Sequence, residues 1–420
     1  MTVAVQSGVA GFLARYDALR DRLPGAPDRR AAAADAFRRV GLPGATSGRR
    51  EEAWKYTSLR PVVDASFGQS LTFADDSALL ARLPRIDAPR IVFVDGEFRA
   101  DLSAPPAAVE FSRFAEHGAF GTLARPDSEP LVALNTMLAQ DGAVLSVPAH
   151  VDAGLVLLAS IATDRAAFHP RHVIRLAGGA RLKLLELSVG DGNYLHNPVF
   201  EVQVDEGASV THVRLQDESL AAFHLSTLYA EIAERGAYDS FVLNLGARIA
   251  RTEVHIRLAG VKGTAHMNGG QLLSGAQHAD LTTVVKHDAP SCSSRQTVKN
   301  VLDGRSQAIF QGRIEVARIA QKTDGYQMNQ ALLLSPDAEI DTKPELEIFA
   351  DDVKCSHGAT VGELDAEQLF YLRSRGIPDA AARSMLVRAF LTEALDAVTD
   401  ERMRGVLDRA VEGWWERQAA

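Results

Sequence analysis

Residues 171–215 carry the reading of the fold. Arg171-His-Val-Ile-Arg-Leu176 is followed by Arg181-Leu-Lys-Leu-Leu-Glu-Leu187, Phe200-Glu-Val-Gln-Val204 and Ser209-Val-Thr-His-Val-Arg-Leu215. Each is a short run with the apolar–polar alternation of a strand. Several strands start after a glycine and a small residue: Gly179-Ala180, Gly207-Ala208, Gly236-Ala237 and Gly263-Thr264. By subtraction these glycines are 28, 29 and 27 residues apart, and the next comparable one, Gly304, breaks the period at 41. A period of that size predicts a stacked repeat. No helical pattern intervenes, so a parallel β-helix or a long sandwich fits better than alternating strands and helices.

Outward from this stretch the texture holds from about 85 to 355. Ile91-Val-Phe-Val94 precedes Asp95-Gly96, a turn signal. Both ends read as helical. Phe12, Leu13, Tyr16, Leu19 and Leu23 mark one apolar face, and a second helix is expected from Pro27 to Val40, with Asp28 at its start and Gly41 at its stop. At the other end Asp365 with Gln368 resembles a helix cap. The first helix there carries Leu369, Phe370 and Leu372. Pro378 opens a second with Met385, Leu386 and Phe390, and a third follows Asp400 with Met403, Leu407 and Trp414. The expected division is 1–84 helical, 85–362 β-helix core and 363–420 helical. Three small helices bury little alone, so they must dock on the β section or on a partner.

The 420 residues are 46% hydrophobic and 24% charged, a core-forming composition. No run reaches the roughly 18 apolar residues of a spanning helix; the best, Leu155 to Ala159, is five. The first ten residues lack a basic region before an apolar run, so neither a membrane nor a secreted protein is expected. A net charge of −9 argues against general nucleic-acid binding. Two cysteines, Cys292 and Cys355, fit a reducing compartment and cannot form a four-cysteine zinc or iron–sulfur site. Neither Gly-Lys-Ser nor Gly-Lys-Thr occurs, so the chain has no Walker A loop; nucleotide chemistry would belong to another subunit.

Cys355-Ser356-His357 is the sharpest local feature. On an extended segment Asp351, Val353, Cys355 and His357 fall on one side. A thiol and an imidazole offer two ligands where a closed site needs about four. The site is therefore partial, shared across an interface, or not a metal site. Cys292, after Pro290, is either a second thiol for it or incidental. The scattered His255, His266, His278 and His287 show no metal-ligand spacing and read as structural or surface residues. Asp337, Glu339, Asp341, Glu345, Glu347, Asp351 and Asp352 form an acidic run. It reads as a solvated strand edge, with a carbohydrate-acting enzyme as the competing reading.

The stretch Ala320-Gln-Lys-Thr-Asp-Gly-Tyr-Gln-Met-Asn-Gln-Ala-Leu-Leu-Leu-Ser335 continues with Asp341-Thr-Lys-Pro-Glu-Leu-Glu-Ile348. Next come Ala350-Asp-Asp-Val-Lys-Cys-Ser-His-Gly-Ala-Thr-Val-Gly362 and Phe370-Tyr-Leu-Arg-Ser-Arg-Gly-Ile377. This closely resembles the SufB/SufD family of iron–sulfur cluster assembly proteins. Glu51-Glu52-Ala53-Trp54-Lys55-Tyr56-Thr57 is similar to the family's other marker. Gly358 follows His357 where SufB-like sequences carry Glu, which places the resemblance on the SufD-like side. The resemblance implies a right-handed parallel β-helix between helical ends, in a cytoplasmic, non-catalytic subunit. Its implied partners are a SufB-like subunit and a SufC-like ATPase that hydrolyses the ATP; an isolated chain could form a homodimer instead. Its implied cofactor is a nascent iron–sulfur cluster, transient and shared with the SufB-like subunit, with no nucleotide bound by this chain. Carried over by motif, Cys355 and His357 lie at the shared interface, with His357 ahead as an assembly ligand. The resemblance also implies that residues 364–395, with Leu369, Phe370, Met385, Leu386 and Phe390, form the ATPase dock.

Overall fold

The computed structural model describes residues 8–44, 52–67, 78, 81–163 and 167–419. Gly48, Arg50 and Glu51 of the N-terminal marker region lie outside the described residues. Two parallel sheets face each other, and the chain alternates between them. The first runs through strands Asp152–Ala162, Arg181–Gly190, Ser209–Glu218, Ala237–Asn244, Thr264–Leu273, Ser293–Leu302, Asp324–Leu333 and Lys354–Glu363. The second runs through Ala143–Val147, Arg171–Leu176, Val199–Val204, Phe223–Ile232, Ile249–Leu258, His278–His287, Gln307–Val316 and Glu339–Ile348. The result is a parallel β-helix. Its N-terminal end closes with antiparallel pairs, Arg90–Val94 with Glu97–Phe98 and Glu110–Arg113 with Ala143–Val147. The expected turn at Asp95-Gly96 has both residues in the left-handed region, the geometry of a tight hairpin.

The glycine period needs correction. What repeats is a left-handed backbone conformation two residues before six successive strands of the first sheet, from Arg181–Gly190 to Asp324–Leu333. It is held in turn by Gly179, Gly207, Arg235, Lys262, Ser291 and Lys322, at intervals of 28, 28, 27, 29 and 31 residues. In each case the backbone N–H of that residue donates to a carbonyl in the next coil's turn: Gly179 to Glu206, Gly207 to Glu234, Arg235 to Val261, Lys262 to Pro290, Ser291 to Gln321 and Lys322 to Asp352. The conformation aims the N–H along the stack, so the hydrogen bond, not the absence of a side chain, sets the repeat. Gly304 belongs to the turns on the opposite edge, where left-handed Ala247, Gly275 and Gly304 follow one another at 28 and 29 residues. The stack therefore continues past Gly304.

Over the middle coils both faces of the first sheet find cover, which explains runs such as Leu184-Leu185-Glu186-Leu187 with no polar face. Leu182 and Leu184 point between the sheets, against Val202, Leu228 and Ile256. Leu185 and Leu187 point outward, with Val213, Phe241 and Leu272, under the C-terminal helices. Helices Asp379–Leu395 and Glu401–Ala419 return along this outer face and bury Val387, Leu391, Leu395, Met403, Leu407 and Trp414. Helices Gly8–Leu19 and Pro27–Val40 cover part of the second sheet, packing Phe12, Tyr16 and Phe37 near Phe223, Leu225 and Ile249. Pro27 and Asp28 open the second of these, and the Gly41 N–H closes it on the Phe37 carbonyl. One helix inside the β section, Pro130–Leu138, is absent from the sequence reading. All nine of its residues are buried, so no polar face betrays its period.

A Cβ at Gly207 would meet nothing within 4 Å, so a substitution there tests the backbone alone. Gly207→Val should lower stability by about 1–3 kcal/mol, and Gly207→Asn, whose residue tolerates this region, by clearly less. Urea unfolding of both variants checks this.

Candidate functional site

The two sheets end together. Glu339–Ile348 and Lys354–Glu363 each pair with a preceding strand on one side only. Cys355 and His357 lie on the last strand of the first sheet, and the register shows which way they face. Cys355 is the last rung of the column Leu182, Val210, Tyr238, Ala265, Ser294, Gly325. His357 ends the column Leu184, His212, Ser240, Met267, Gln296, Gln327. Through Gln296 both columns are buried interior. The two site residues are therefore inward-facing positions with no further coil to cover them: Cys355 is half-buried and His357 exposed.

Cys355 packs with Val353, Ile314 and Leu346. Burial raises its thiol above the usual range, so at neutral pH it is a thiol that needs a metal or base to become a ligand. Behind His357 the side-chain amide of Gln327 is buried with neither its nitrogen nor its oxygen hydrogen-bonded. Among the described residues no third Cys, His, Asp or Glu joins Cys355 and His357 in a group tight enough to hold an ion. Cys292 lies two coils further in, since Ser293 aligns with Asp324 and Asp324 with Lys354. It is buried in the inner apolar cluster, 3.2 Å from the Gly260 carbonyl oxygen, and its thiol is likewise raised by burial. The acidic run lies along the other edge strand. Glu339, Asp341, Glu345 and Glu347 alternate with Ile340, Thr342, Leu346 and Ile348, and Lys343 bonds Glu52 and Glu345 at 2.9 and 3.2 Å.

The C-terminal residues divide. Helix Ala366–Ser374 buries none of its residues; the Asp365 carboxylate caps it by accepting from the Glu367 and Gln368 N–H groups. Phe370 is 73% exposed, Tyr371 57% and Met385 48%. Leu369 and Leu386 are half-buried. A groove between this helix and the next is lined by Phe370, Tyr371, Leu372 and Leu386. Phe390 instead turns toward the chain's own body, with the Lys299 ammonium 4.7 Å from its ring centre. The N-terminal marker also has an internal contact. Trp54 lies under the Arg251 guanidinium, and Thr57 donates to Asp280 at 2.5 Å and meets His278 at 2.9 Å. It clamps the N-terminal region onto the second sheet.

A buried polar interior was missed. Among the described residues six carboxylates are buried: Asp141, Glu186, Glu201, Glu218, Glu253 and Asp280. Five bond an arginine: Asp141 with Arg113, Glu186 with Arg214, Glu201 with Arg171, Glu253 and Asp280 with Arg251. Glu218 instead meets two imidazoles, His196 and His224. The available signal was the 28-residue separation of the histidines, equal to that of Gly179 and Gly207, which places them side by side on successive coils.

Two family models match the chain. The SUF system FeS cluster assembly SufBD core domain spans residues 159–390, and the SufBD protein N-terminal region spans 22–155. The chain belongs to the SufBD family of iron–sulfur cluster assembly proteins. It is 33% identical over 374 residues to the iron–sulfur cluster assembly protein SufD of Escherichia coli, covering 87% of this chain and 88% of that one. A SufBD family protein of Synechocystis is 30% identical over 412 residues, 91% of this chain and 90% of the relative. No described helix is long and apolar enough to cross a membrane.

Several buried histidines make the fold acid-sensitive. Burial lowers His169 and His172 to about 3 and His287 to about 4. Unfolding restores an ordinary value near 6.5, so below that pH the unfolded chain binds more protons and stability falls. Glu186 and Glu218 are held below the usual carboxylate range and act in the same direction. Stability should decline from pH 7 to pH 5 by about 2 kcal/mol per such histidine. Urea midpoints against pH should show this, with a shallower slope in His287→Gln.

Proposed function

We propose that this chain is a non-catalytic, SufD-like subunit that completes its uncovered end with a SufB-like subunit and docks a SufC-like ATPase through its C-terminal helices. The observation that carries this is the pair of one-sided edge strands ending two interior columns at Cys355 and His357. An edge strand offers a row of unpaired backbone groups to another chain, and Val361 (56% exposed) and Phe349 (65%) add apolar surface beside it. A partner supplying its own edge would cover the Gln327 amide and add ligands to a site that has two. The nascent iron–sulfur cluster is then cargo shared across the junction, with His357 as a ligand and Cys355 beside it. ATP hydrolysis belongs to the SufC-like partner, and the complex works in the cytoplasm. The exposed Phe370, Met385 and the adjoining Leu369 and Leu386 form the dock, while Phe390 supports it from behind.

Removing everything from Leu364 onward would also strip the cover from the first sheet's outer face, so point changes are the cleaner test. Co-expression with the SufB-like and SufC-like proteins of the same genome should give a complex on size-exclusion chromatography with mass determination. Phe370→Glu with Met385→Glu should release the ATPase and leave the SufB-like subunit bound. His357→Ala should lower cluster yield with the complex intact. A chain that elutes alone beside both partners overturns the reading, and unchanged yield in His357→Ala removes that residue's role.

A further inference from the structure

Glu218 ends strand Ser209–Glu218 and points inward. His196 and His224 are in-register neighbours on the second sheet, facing it. Glu218 Oε1 lies 3.1 Å from His196 Nδ1, and Glu218 Oε2 lies 2.7 Å from His224 Nδ1. One ligand atom from each of the three residues falls within 4.8 Å of the others, and all three side chains are at most 3% exposed.

Two features set this cluster apart from a self-sufficient hydrogen-bond network. First, Glu218 is the one of the six buried carboxylates that lacks an arginine partner among the described residues. A buried carboxylate that faces imidazoles in place of a fixed cation is a position where a bound cation can supply the countercharge. Second, the imidazoles are not satisfied. His196 Nε2 has no hydrogen-bond partner, and His224 Nδ1, for all its closeness to the carboxylate, is out of line for a hydrogen bond. The residue beside Glu218 on the preceding coil is Gly190, where the buried Tyr194 hydroxyl fills the space a side chain would take. Gln216 holds the carboxylate in place by donating to Oε2 at 3.0 Å.

We propose that His196, Glu218 and His224 form a buried site for one borderline divalent transition-metal ion of the Zn2+ or Fe2+ type. Two imidazoles and one carboxylate are the donor set such ions prefer, and three protein ligands leave a further position for water. Ca2+ and Mg2+, which take mostly oxygen ligands, are excluded by the two nitrogens. Gln216 is a positioning residue, fixing a ligand that it does not replace. The site lies coils away from Cys355 and His357 and does not depend on the partner reading above.

The test uses the full-length chain, stripped with a chelator and titrated with Zn2+, anaerobic Fe2+ and Co2+ as a visible-absorption probe. About one equivalent should bind. Glu218→Gln and His224→Gln should each abolish tight uptake, Gln216→Leu should weaken it about 10-fold, and His266→Gln, at a histidine paired with Asp239 outside the cluster, should leave it unchanged. Because a core variant could misfold, X-ray absorption of the loaded wild-type chain gives a second readout. Nitrogen and oxygen scattering with an imidazole signature is expected. Sulfur scattering would place the ion at a cysteine and overturn the proposal, as would no uptake by the wild-type chain or full uptake by a folded His224→Gln variant.

Discussion

Parallel in-register stacking ties every interior residue to the one a coil away, about 4.8 Å along the axis. Turn length, side-chain size and charge must all agree with that neighbour. The turns obey it through their own ladder of hydrogen bonds, from left-handed N–H groups to the next coil's carbonyls. Placing Arg235, Lys262, Ser291 and Lys322 in that conformation costs roughly 1–2 kcal/mol each. The inter-coil bond offsets part of it, typically by about 1 kcal/mol. Polar residues inside the stack obey the same rule. Glu186 is answered by His212 and Arg214 one coil on, and Asn300 by Gln271 and Asn329 on either side.

Such a column is self-consistent along its length and incomplete at its end. Gln296 bonds Thr283 at 2.7 Å inside the stack, while Gln327, one coil later, has no partner. Cys355 and His357 come after it, where the interior columns continue and their cover stops. The helices that return from this end do not close it. They run along the outer face of the first sheet and leave the first short helix unburied.

Much of this was legible. Strands 171–176 and 209–215 follow from alternation, since each has one face toward the opposite sheet. The shared side of Cys355 and His357 follows from the same rule, and the shortage of ligands from counting donors. The glycine spacing pointed to the right repeat for an incomplete reason: Gly236 and Gly263 each follow the left-handed residue, and Gly304 serves the other edge. Helix 130–138 was illegible because a wholly buried helix has no polar stripe. His196, Glu218 and His224 were missed because ligand spacing was sought within one element. In a stacked fold, a 28-residue separation is as close as an adjacent rung.

The returning helices have a consequence for the order of events during synthesis. Lys183 bonds Asp400, 217 residues later, and Arg417 bonds Asp217, 200 residues earlier. Coils can add one upon another as the nascent chain emerges, each templating the next. The apolar outer side of the first sheet meanwhile waits for helices that follow the last coil in the chain. The last forty residues thus act as a latch that closes across coils completed long before. Until those helices dock, the growing protein carries an apolar flank open to solvent.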